Sequence, residues 1–311
     1  MVTGIDISHW QDDKSTPQKM DFQKAVANGA KYVFIKVSER GSIDPDFEYN
    51  WQAAKEAGLL RGGYHFLRWD LSGLIQAGIF SELLRDDPGE LPPVADFEAP
   101  RLGSLYPSNA LLLQFLETVE SKLNRKPMIY TSPGYWDIHG RNKVTKLFDD
   151  KWAYYPLWIA NYKNEVIPGI TQPIEIEPWK RLGKTWTFWQ YTAKGDGPAY
   201  GAESNSIDLN YFNGTEKELA DFAYDNPTPP PSQPGNRLGQ IRSVRAGYAL
   251  HGRKTPVYGV KDNFKVSLHG GVEFELLEDQ IIVSNGVPYV KAKLVDNQFY
   301  ISISDTWSEE K

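Results

Sequence analysis

Short apolar runs alternate with amphipathic segments over the first half of the chain, and this alternation restricts the fold more than any other feature. The runs are β-branched and aromatic and apolar nearly throughout, which is typical of strands covered on both faces. The first six are GIDIS (4–8), YVFIKVS (32–38), GGYHFL (62–67), PVADFE (93–98), MIYTS (128–132) and PLWIAN (156–161). The segments between them predict helices over about 45–57, 73–86, 108–124 and 133–148. This spacing predicts a parallel sheet, and the number of units favours a closed α/β barrel.

The pattern changes after Asn161, where clear helical segments are no longer found. Two further strands are predicted at TFWQYT (187–192) and SIDLNYF (206–212), joined by Gly- and Pro-rich loops. We therefore expect a barrel that is regular for its first five strand–helix units and irregular at its end.

A segment rich in Pro, DNPTPPPSQPGN at 225–236, divides the chain into two domains. It contains almost no apolar side chains, which is typical of an extended and semi-rigid linker. The barrel is assigned to 1–224 and a second domain to 237–311. Strand-like runs separated by Gly, Asn or Asp predict that this second domain is a small all-β barrel or sandwich.

Composition excludes several classes of protein. The chain has no cysteine, which rules out disulfides and thiol catalysis, and its five histidines are scattered without an HExxH motif. No cofactor and no metal are therefore expected. The net charge of -6 argues against nucleic acid as a partner. Met1 runs almost directly into GIDIS, so we expect neither a signal peptide nor membrane insertion.

Two carboxylates, Asp96 and Glu98, lie one residue apart where the fourth predicted strand ends. Residues i and i+2 share one face of a strand, which places their Cα atoms roughly 6.5–7 Å apart. Each carboxylate opposes ionisation of the other, and the result is a neutral acid beside an anion. Glycosidic cleavage needs that combination. The alternative is that both are solvated charges where a strand enters a loop.

Two more acids, Asp6 in GIDISHW and Asp208 in SIDLN, also lie near strand ends. Taken singly, an Asp in this position is more often a turn or capping residue. Because α/β barrels build their active sites at the carboxyl ends of the strands, the four acids together favour a site at one barrel mouth. Aromatic residues on which sugar rings could stack there are Trp158, Tyr162, Trp189 and Tyr191. Core packing is expected instead for Phe34, Trp51, His65 and Phe66.

Seven dispersed segments of the chain match one family in register. In chain order they are GIDISHWQ, FIKVSERG, DPDFEYNWQAAKEAGLLRGGYHF, PPVADFE, IYTS, YPLWIANY and TFWQYT followed by SIDLN. Over about residues 3–213 they resemble glycoside hydrolase family 25, the Chalaropsis-type lysozymes, which include many phage endolysins and bacterial autolysins. The resemblance implies an irregular (β/α)5β3 TIM-like barrel. It also implies hydrolysis, with retention, of the β-1,4 bond between N-acetylmuramic acid and N-acetylglucosamine in peptidoglycan.

The resemblance also implies roles for individual residues. The catalytic acid falls on Glu98, its partner carboxylate on Asp96, and the two further pocket acids on Asp6 and Asp208. Positions that line the substrate groove fall on Tyr64, Tyr130, Trp158, Tyr162, Trp189 and Tyr191.

Two further positions of the family pattern fall in the segment FIKVSERG. A recurrent lysine of the family falls on Lys36, for which we expect a structural role. Arg40 departs from the pattern, because the family usually has Gly directly after the Glu. This departure weakens the match to the family in the loop at 39–42, and it does not affect the match at the carboxylates.

Retention allows two mechanisms. Asp96 could attack the anomeric carbon, or the substrate's own 2-acetamido carbonyl could attack while Asp96 orients and stabilises it. The second is favoured, because two acids at i and i+2 of one strand are poorly placed to act on opposite sides of a bond. Glu98 would then act first as acid and later as base for the incoming water.

The second domain resembles, more weakly, the bacterial Src-homology-3-like (SH3-like) modules that endolysins append to bind the cell wall. A stability domain or an oligomerisation module is the alternative. A wall anchor would raise the local concentration of cleavable bonds around the barrel.

The whole chain is therefore expected to be a metal-free peptidoglycan muramidase whose two domains both bind the bacterial wall. A phage endolysin made in the host cytoplasm and released through a holin-type pore fits the missing signal peptide, and so does an autolysin exported by another route. Two rival functions are a hydrolase of another acetamido-sugar polymer and a carbohydrate-binding barrel that has lost catalysis.

Overall fold

The computed structural model describes residues 1–12, 19–98, 105–162 and 171–224, together with the backbone of eight strands between 241 and 310. The strands up to residue 224 are β1 (Val2–Ile7), β2 (Tyr32–Glu39), β3 (Ser42–Ile43), β4 (Leu60–Phe66), β5 (Val94–Asp96), β6 (Met128–Thr131), β7 (Leu157–Ala160), β8 (Phe188–Asp196) and β9 (Ser206–Phe212). The α-helices are α1 (Phe22–Ala27), α2 (Phe47–Glu56), α3 (Gly73–Leu83), α4 (Asn109–Leu123), α5 (Pro133–His139) and α6 (Glu216–Tyr224). No helix within the described ranges combines the length and the apolar composition needed to cross a bilayer.

Eight strands close into a barrel in the order β1, β2, β4, β5, β6, β7, β8 and β9. Every pairing around this ring from β1 to β8 is parallel, and β3 pairs antiparallel with β2 beside the ring. By contrast, β9 runs antiparallel to both β8 and β1 and closes the ring between them. The predicted α/β barrel, regular at first and irregular at its end, is confirmed.

Buried side chains form two layers, one inside the barrel and one between the strands and the outer helices. The alternation of side chains along each strand separates the layers. In β2, Phe34 points into the barrel, whereas Val33 and Ile35 pack in the outer layer. Phe34 stacks on Trp158 with ring centroids 4.3 Å apart. A Cβ at Gly62 of the neighbouring strand β4 would collide with the Phe34 ring, so the interior accommodates this ring because β4 has no side chain there.

The helix predicted over 133–148 is shorter in the structure and ends at His139. Gly140 packs so closely on the Trp136 ring that a Cβ would collide with it. Two residues later the Oδ1 atom of Asn142 accepts hydrogen bonds from the backbone N–H groups of Val144 and Thr145. Side chains of this type offer the backbone an alternative to helical bonding, which the apolar spacing of the segment does not reveal.

The C-terminal part contains eight described strands, which form a second sheet with antiparallel pairings. They are β10 (Ile241–Val244), β11 (Ala249–Arg253), β12 (Phe264–His269), β13 (Glu273–Leu276), β14 (Ile282–Ser284), β15 (Val287–Leu294), β16 (Asn297–Ser302) and β17 (Ser308–Glu310). The predicted linker at 225–236 lies outside the described residues. The boundaries of the two domains and the SH3-like character of the second stay predictions.

Candidate active site

A cavity of about 1040 Å³ opens near the carboxyl ends of the barrel strands. Its ionisable lining consists of five acids and two cations, namely Asp6, Glu39, Asp96, Glu98, Asp208, Lys36 and Arg68. Its aromatic lining consists of Trp10, Tyr64, Phe66, Tyr130, Trp158 and Tyr162. The four acids predicted from strand ends are thus brought together in one cavity, with the aromatic walls that a ring-shaped ligand needs.

Asp96 is the last residue of β5 and is 5% exposed. Burial raises the pKa of the Asp96 carboxyl well above its ordinary value, and the negative charge of Glu98 raises it further. Lys36 opposes this shift without cancelling it. Among the described residues, Asp96 Oδ1 is buried without a hydrogen-bond partner. Asp96 therefore holds a proton to higher pH than an ordinary carboxyl and keeps one oxygen available for a ligand.

Glu98 lies two residues beyond the end of β5 and is half-buried in the cavity wall. The intervening residue, Phe97, is fully buried and packs edge-on against Tyr135 and Trp136 in the outer layer. This alternation continues the strand geometry and turns both carboxylates to the same side.

Asp6 occupies the opposite wall, where β1 pairs with β9 and Asp6 lies opposite Asp208 in register. Asp6 Oδ2 accepts hydrogen bonds from Gln190 Nε2 at 2.8 Å and from Asn210 Nδ2 at 2.7 Å. Burial raises the pKa of Asp6 to about 6, and hydrogen bonds with Asn210, Gln190 and Asp208 restrain the shift. Asp6 therefore titrates near neutrality while its position is fixed by two amides.

The same two amides hold the aromatic wall of the cavity. Gln190 Oε1 accepts the hydroxyls of Tyr130 at 2.9 Å and of Tyr162 at 2.5 Å. Asn210 Oδ1 accepts the indole N–H of Trp158 at 2.8 Å. Neither amide was singled out by the sequence analysis. Both are polar residues at inward positions of otherwise apolar strands, and that is the signal that could have found them.

Two predicted groove residues, Trp189 and Tyr191, do not line the cavity. They alternate with the inward residues of β8, and Trp189 belongs to the outer layer, where its indole N–H donates to the Asn161 carbonyl at 2.7 Å. Tyr191 stacks on Tyr211 with centroids 4.2 Å apart. The assignment of both to sugar binding is corrected, because strand alternation turns them away from the barrel mouth.

Of the four residues expected to pack in the core, three are buried there and one lines the cavity. Phe34 and Trp51 are buried and His65 is fully buried, as expected for core residues. His65 accepts or donates hydrogen bonds with Ser38 at 2.8 Å and Gln76 at 3.0 Å, and burial lowers its pKa to about 4. By contrast, Phe66 lines the cavity and is not a core residue.

Two residues of the β2 end differ from expectation. Lys36, expected to be structural, also lines the cavity, and its Nζ atom lies 2.6 Å from Glu39 Oε2. Arg40 has a backbone φ of 53°, in the left-handed region that favours glycine. The residue that departs from the family pattern thus adopts the conformation for which Gly is the usual choice.

Trp10 is a further lining residue that the sequence analysis missed. It lies in a short helical turn after β1, is 49% exposed, and packs its ring 4.5 Å from the ring of His9. An exposed indole at the rim of a cavity offers an apolar face to a ligand.

A barrel mouth with a carboxylate pair, a second acidic wall and aromatic sides defines the class of a glycoside hydrolase. The family model of glycosyl hydrolases family 25 matches residues 5–199. The chain belongs to this family.

Known proteins and structures resemble the same part of the chain. Lysozyme M1 of Streptomyces globisporus is 30% identical over 233 residues, which cover 71% of this chain and 71% of that protein. An uncharacterized protein, YegX, of Escherichia coli K12 is 30% identical over 227 residues, covering 71% of this chain and 73% of that protein. The crystal structure of a bacterial lysozyme from Streptomyces coelicolor has a TM-score of 0.57 and 27% identity, and covers 72% of this chain and 98% of that one.

Proposed function

We propose that the protein is an N-acetylmuramidase that cleaves, with retention, the β-1,4 bond between N-acetylmuramic acid and N-acetylglucosamine in peptidoglycan. The observation that carries this proposal is the Asp96–Glu98 pair, which lines one cavity and in which burial and the charge of Glu98 raise the pKa of Asp96. Relatives named lysozyme or N,O-diacetylmuramidase support the substrate class.

The pair divides the chemistry between its two members. Glu98 is the more exposed of the two and protonates the leaving glycosidic oxygen. Asp96 lies deeper, at the end of β5, and binds the 2-acetamido group of the sugar whose anomeric carbon reacts. The acetamido carbonyl of that sugar attacks the anomeric carbon as the bond to the leaving oxygen breaks, and water activated by Glu98 later opens the cyclic intermediate.

Substrate binding determines which carboxyl of the Asp96–Glu98 pair carries the proton. In the free protein the raised pKa of Asp96 favours its protonated form. Its unpartnered Oδ1 can accept the acetamido N–H, and a hydrogen bond to the charged form favours ionisation. The proton then moves to Glu98, where the leaving oxygen needs it. Trapping a covalent bond between Asp96 and the sugar would overturn this division of roles.

The opposite wall stabilises the positive charge that develops at the reacting sugar. Asp6 and Asp208 lie across the cavity from β5, and the deprotonated forms of both place negative charge there. Trp10 and Tyr162, both partly exposed, provide apolar faces for sugar rings.

The test measures clearing of purified cell walls together with new reducing ends, with wild type compared with Glu98→Gln. We expect wild type to release reducing muramic acid and the variant to fall by about 100-fold or more. Asp221→Asn, an exposed change on α6, is the matched control. Release of reducing N-acetylglucosamine would favour the rival hydrolase of another acetamido-sugar polymer. Wall binding without cleavage by wild type would favour the binding barrel.

The biological setting proposed is that of a phage endolysin acting on Gram-positive walls after release through a holin-type pore. The C-terminal part is proposed to bind the wall. We expect the full chain to lyse Gram-positive cells when it is added from outside. Removal of 237–311 should abolish this lysis, whereas soluble glycan should still be cleaved.

A further inference from the structure

The cationic side of the cavity has no role in the chemistry proposed above. Lys36, Glu39 and Arg68 line this side, at and beyond the ends of β2 and β4, which lie between β1 with Asp6 and β5 with Asp96. Glu39 lies 2.6 Å from Lys36 through Oε2 and 3.4 Å from Arg68 through Oε1. One carboxylate shared between two cations leaves one positive charge in excess on this wall.

Arg68 is the outer of the two cations. The Lys36 side chain is 8% exposed, whereas that of Arg68 is 29% exposed, and both line the cavity. The guanidinium lies 5.9 Å from the ring centroid of Phe66, whose ring also lines the cavity. An arginine packed over an aromatic ring keeps its planar set of donors in a defined orientation.

The backbone of Arg68 is fixed by a buried side chain. Gln76 is fully buried; its Oε1 accepts the Arg68 N–H at 2.9 Å and its Nε2 donates to the Arg68 carbonyl at 2.8 Å. Gln76 Nε2 also donates to the Leu71 carbonyl at 2.7 Å, and Gln76 Oε1 lies 3.0 Å from His65 Nε2. This loop is therefore held in place from the core, and the guanidinium is presented from a fixed point.

Resting on the muramidase function, we propose that Arg68 binds a carboxylate carried by the muramyl residue of the substrate and so selects anionic over neutral acetamido-sugar chains. A guanidinium matches the two oxygens of a carboxylate, and the charge-assisted bonds are about twice as strong as neutral ones. Chitin-like chains carry no such group. The carboxylate has two possible sources: the lactyl group of a peptide-free muramyl residue, or the peptide attached to it.

The test uses the full chain with Glu98→Gln, which keeps the substrate intact, and measures binding by calorimetry. The first probe is a peptide-free tetrasaccharide of alternating N-acetylglucosamine and N-acetylmuramic acid with free lactyl carboxylates. The second is the same tetrasaccharide with those groups converted to primary amides, and the third carries a peptide with its own free carboxylate. Each is compared in Glu98→Gln and in Glu98→Gln/Arg68→Gln.

We expect Arg68→Gln to weaken binding of the carboxylate probe by about tenfold or more and to leave the amide probe unchanged. Arg68→Lys should restore part of the loss. If only the peptide-bearing probe responds, the carboxylate is that of the peptide; if the free lactyl probe responds, it is the lactyl group. Arg40→Gln is the matched control, because Arg40 pairs with Asp70 at 2.8 Å and does not line the cavity.

Equal weakening of all three probes would assign Arg68 a structural role and overturn the proposal, as would no change in any of them. Failure of the muramidase function has a different signature. In that case wild type releases no reducing muramic acid, and the Glu98→Gln protein binds amide and carboxylate probes equally weakly with or without Arg68.

Discussion

Asp6 and Asp96 are two buried carboxylates in one cavity, on opposite walls, and their surroundings differ. Asp6 Oδ2 accepts hydrogen bonds from two side-chain amides, whereas Asp96 Oδ1 is buried without a partner among the described residues. Burial raises the pKa of both. The hydrogen bonds restrain the pKa of Asp6 to about 6, while the pKa of Asp96 lies well above its ordinary value.

The difference indicates which of the two carboxylates already has its hydrogen-bond partners in the free protein. A carboxylate held by two amides is fixed in place, so the Asp6 wall is preorganised to face a developing positive charge. A buried oxygen without a partner is costly in the free protein and gains most when a ligand supplies a donor. The Asp96 wall is therefore completed by substrate.

The largest effect is expected for Asp96→Asn. The amide oxygen can still accept the acetamido N–H, but the amide carries no negative charge and cannot pass a proton to Glu98, so on the proposed mechanism activity should fall by about 100-fold or more. Stability should not fall, because burial and the charge of Glu98 both disfavour a charged carboxylate at this position and the amide carries no charge. Release of reducing ends and thermal unfolding measure the two effects. Loss of stability parallel to loss of activity would contradict the comparison.

A smaller effect is expected for Gln190→Met, which changes the Asp6 wall and the aromatic residues held by the same amide. The substitution removes one donor to Asp6 and the shared acceptor of Tyr130 and Tyr162. The free energy of unfolding should fall by about 1–3 kcal/mol. Urea unfolding measures it, with Gln52→Met on the exposed face of α2 as the control. An unchanged value would show that the amide does not hold this wall.

Asp6→Asn should change the pH dependence of stability. The pKa of Asp6 is raised in the folded state from 3.8 to about 6, so the folded state binds the proton more tightly than the unfolded chain. Wild type therefore loses stability as pH rises through this window, and the variant does not. Relative to wild type, the variant should gain about 3 kcal/mol between about pH 4 and about pH 8. Asp221→Asn should show no such gain; a constant difference across the range for Asp6→Asn would contradict the raised pKa.

The smallest effect concerns the aromatic residues of the irregular end of the barrel. Tyr162→Ala should raise KM by about threefold to tenfold, because it removes a partly exposed ring from the cavity wall. Tyr191→Ala should leave KM unchanged, because that ring packs on Tyr211 outside the cavity. Initial rates on soluble glycan measure both. A larger change for Tyr191 than for Tyr162 would restore the original assignment.

The barrel and the four acids could be predicted from sequence because each leaves a local mark. Apolar runs mark the strands, and Asp96 with Glu98 share a face whatever the rest of the chain does. The orientation of β8 could not be predicted in the same way. Both faces of β8 are covered, so aromatic residues occupy inward and outward positions alike. Alternate residues therefore do not differ in hydrophobicity, and the sequence does not show which of them point into the barrel.

Other parts of the site depend on contacts between distant segments. Gln190 contacts Asp6 only because the barrel closes, and no local sequence pattern near either residue predicts that contact. Trp10 reaches the rim because a short turn follows β1. The position of the proton on Asp96 also depends on burial, which strand spacing alone does not measure.

The pairing of β1 with β9 has a consequence for how the protein is made. Asp6 leaves the ribosome well before Asp208, its partner in register. Domains emerge amino-terminal end first, so β1 has one edge unpaired until β9 has been made. A chain stopped before β9 lacks both the closing strand and Asn210, which donates to Asp6. Because the active site needs the β1–β9 pairing, it is complete only after the whole barrel has been synthesised. A nascent chain without β9 has no complete active site.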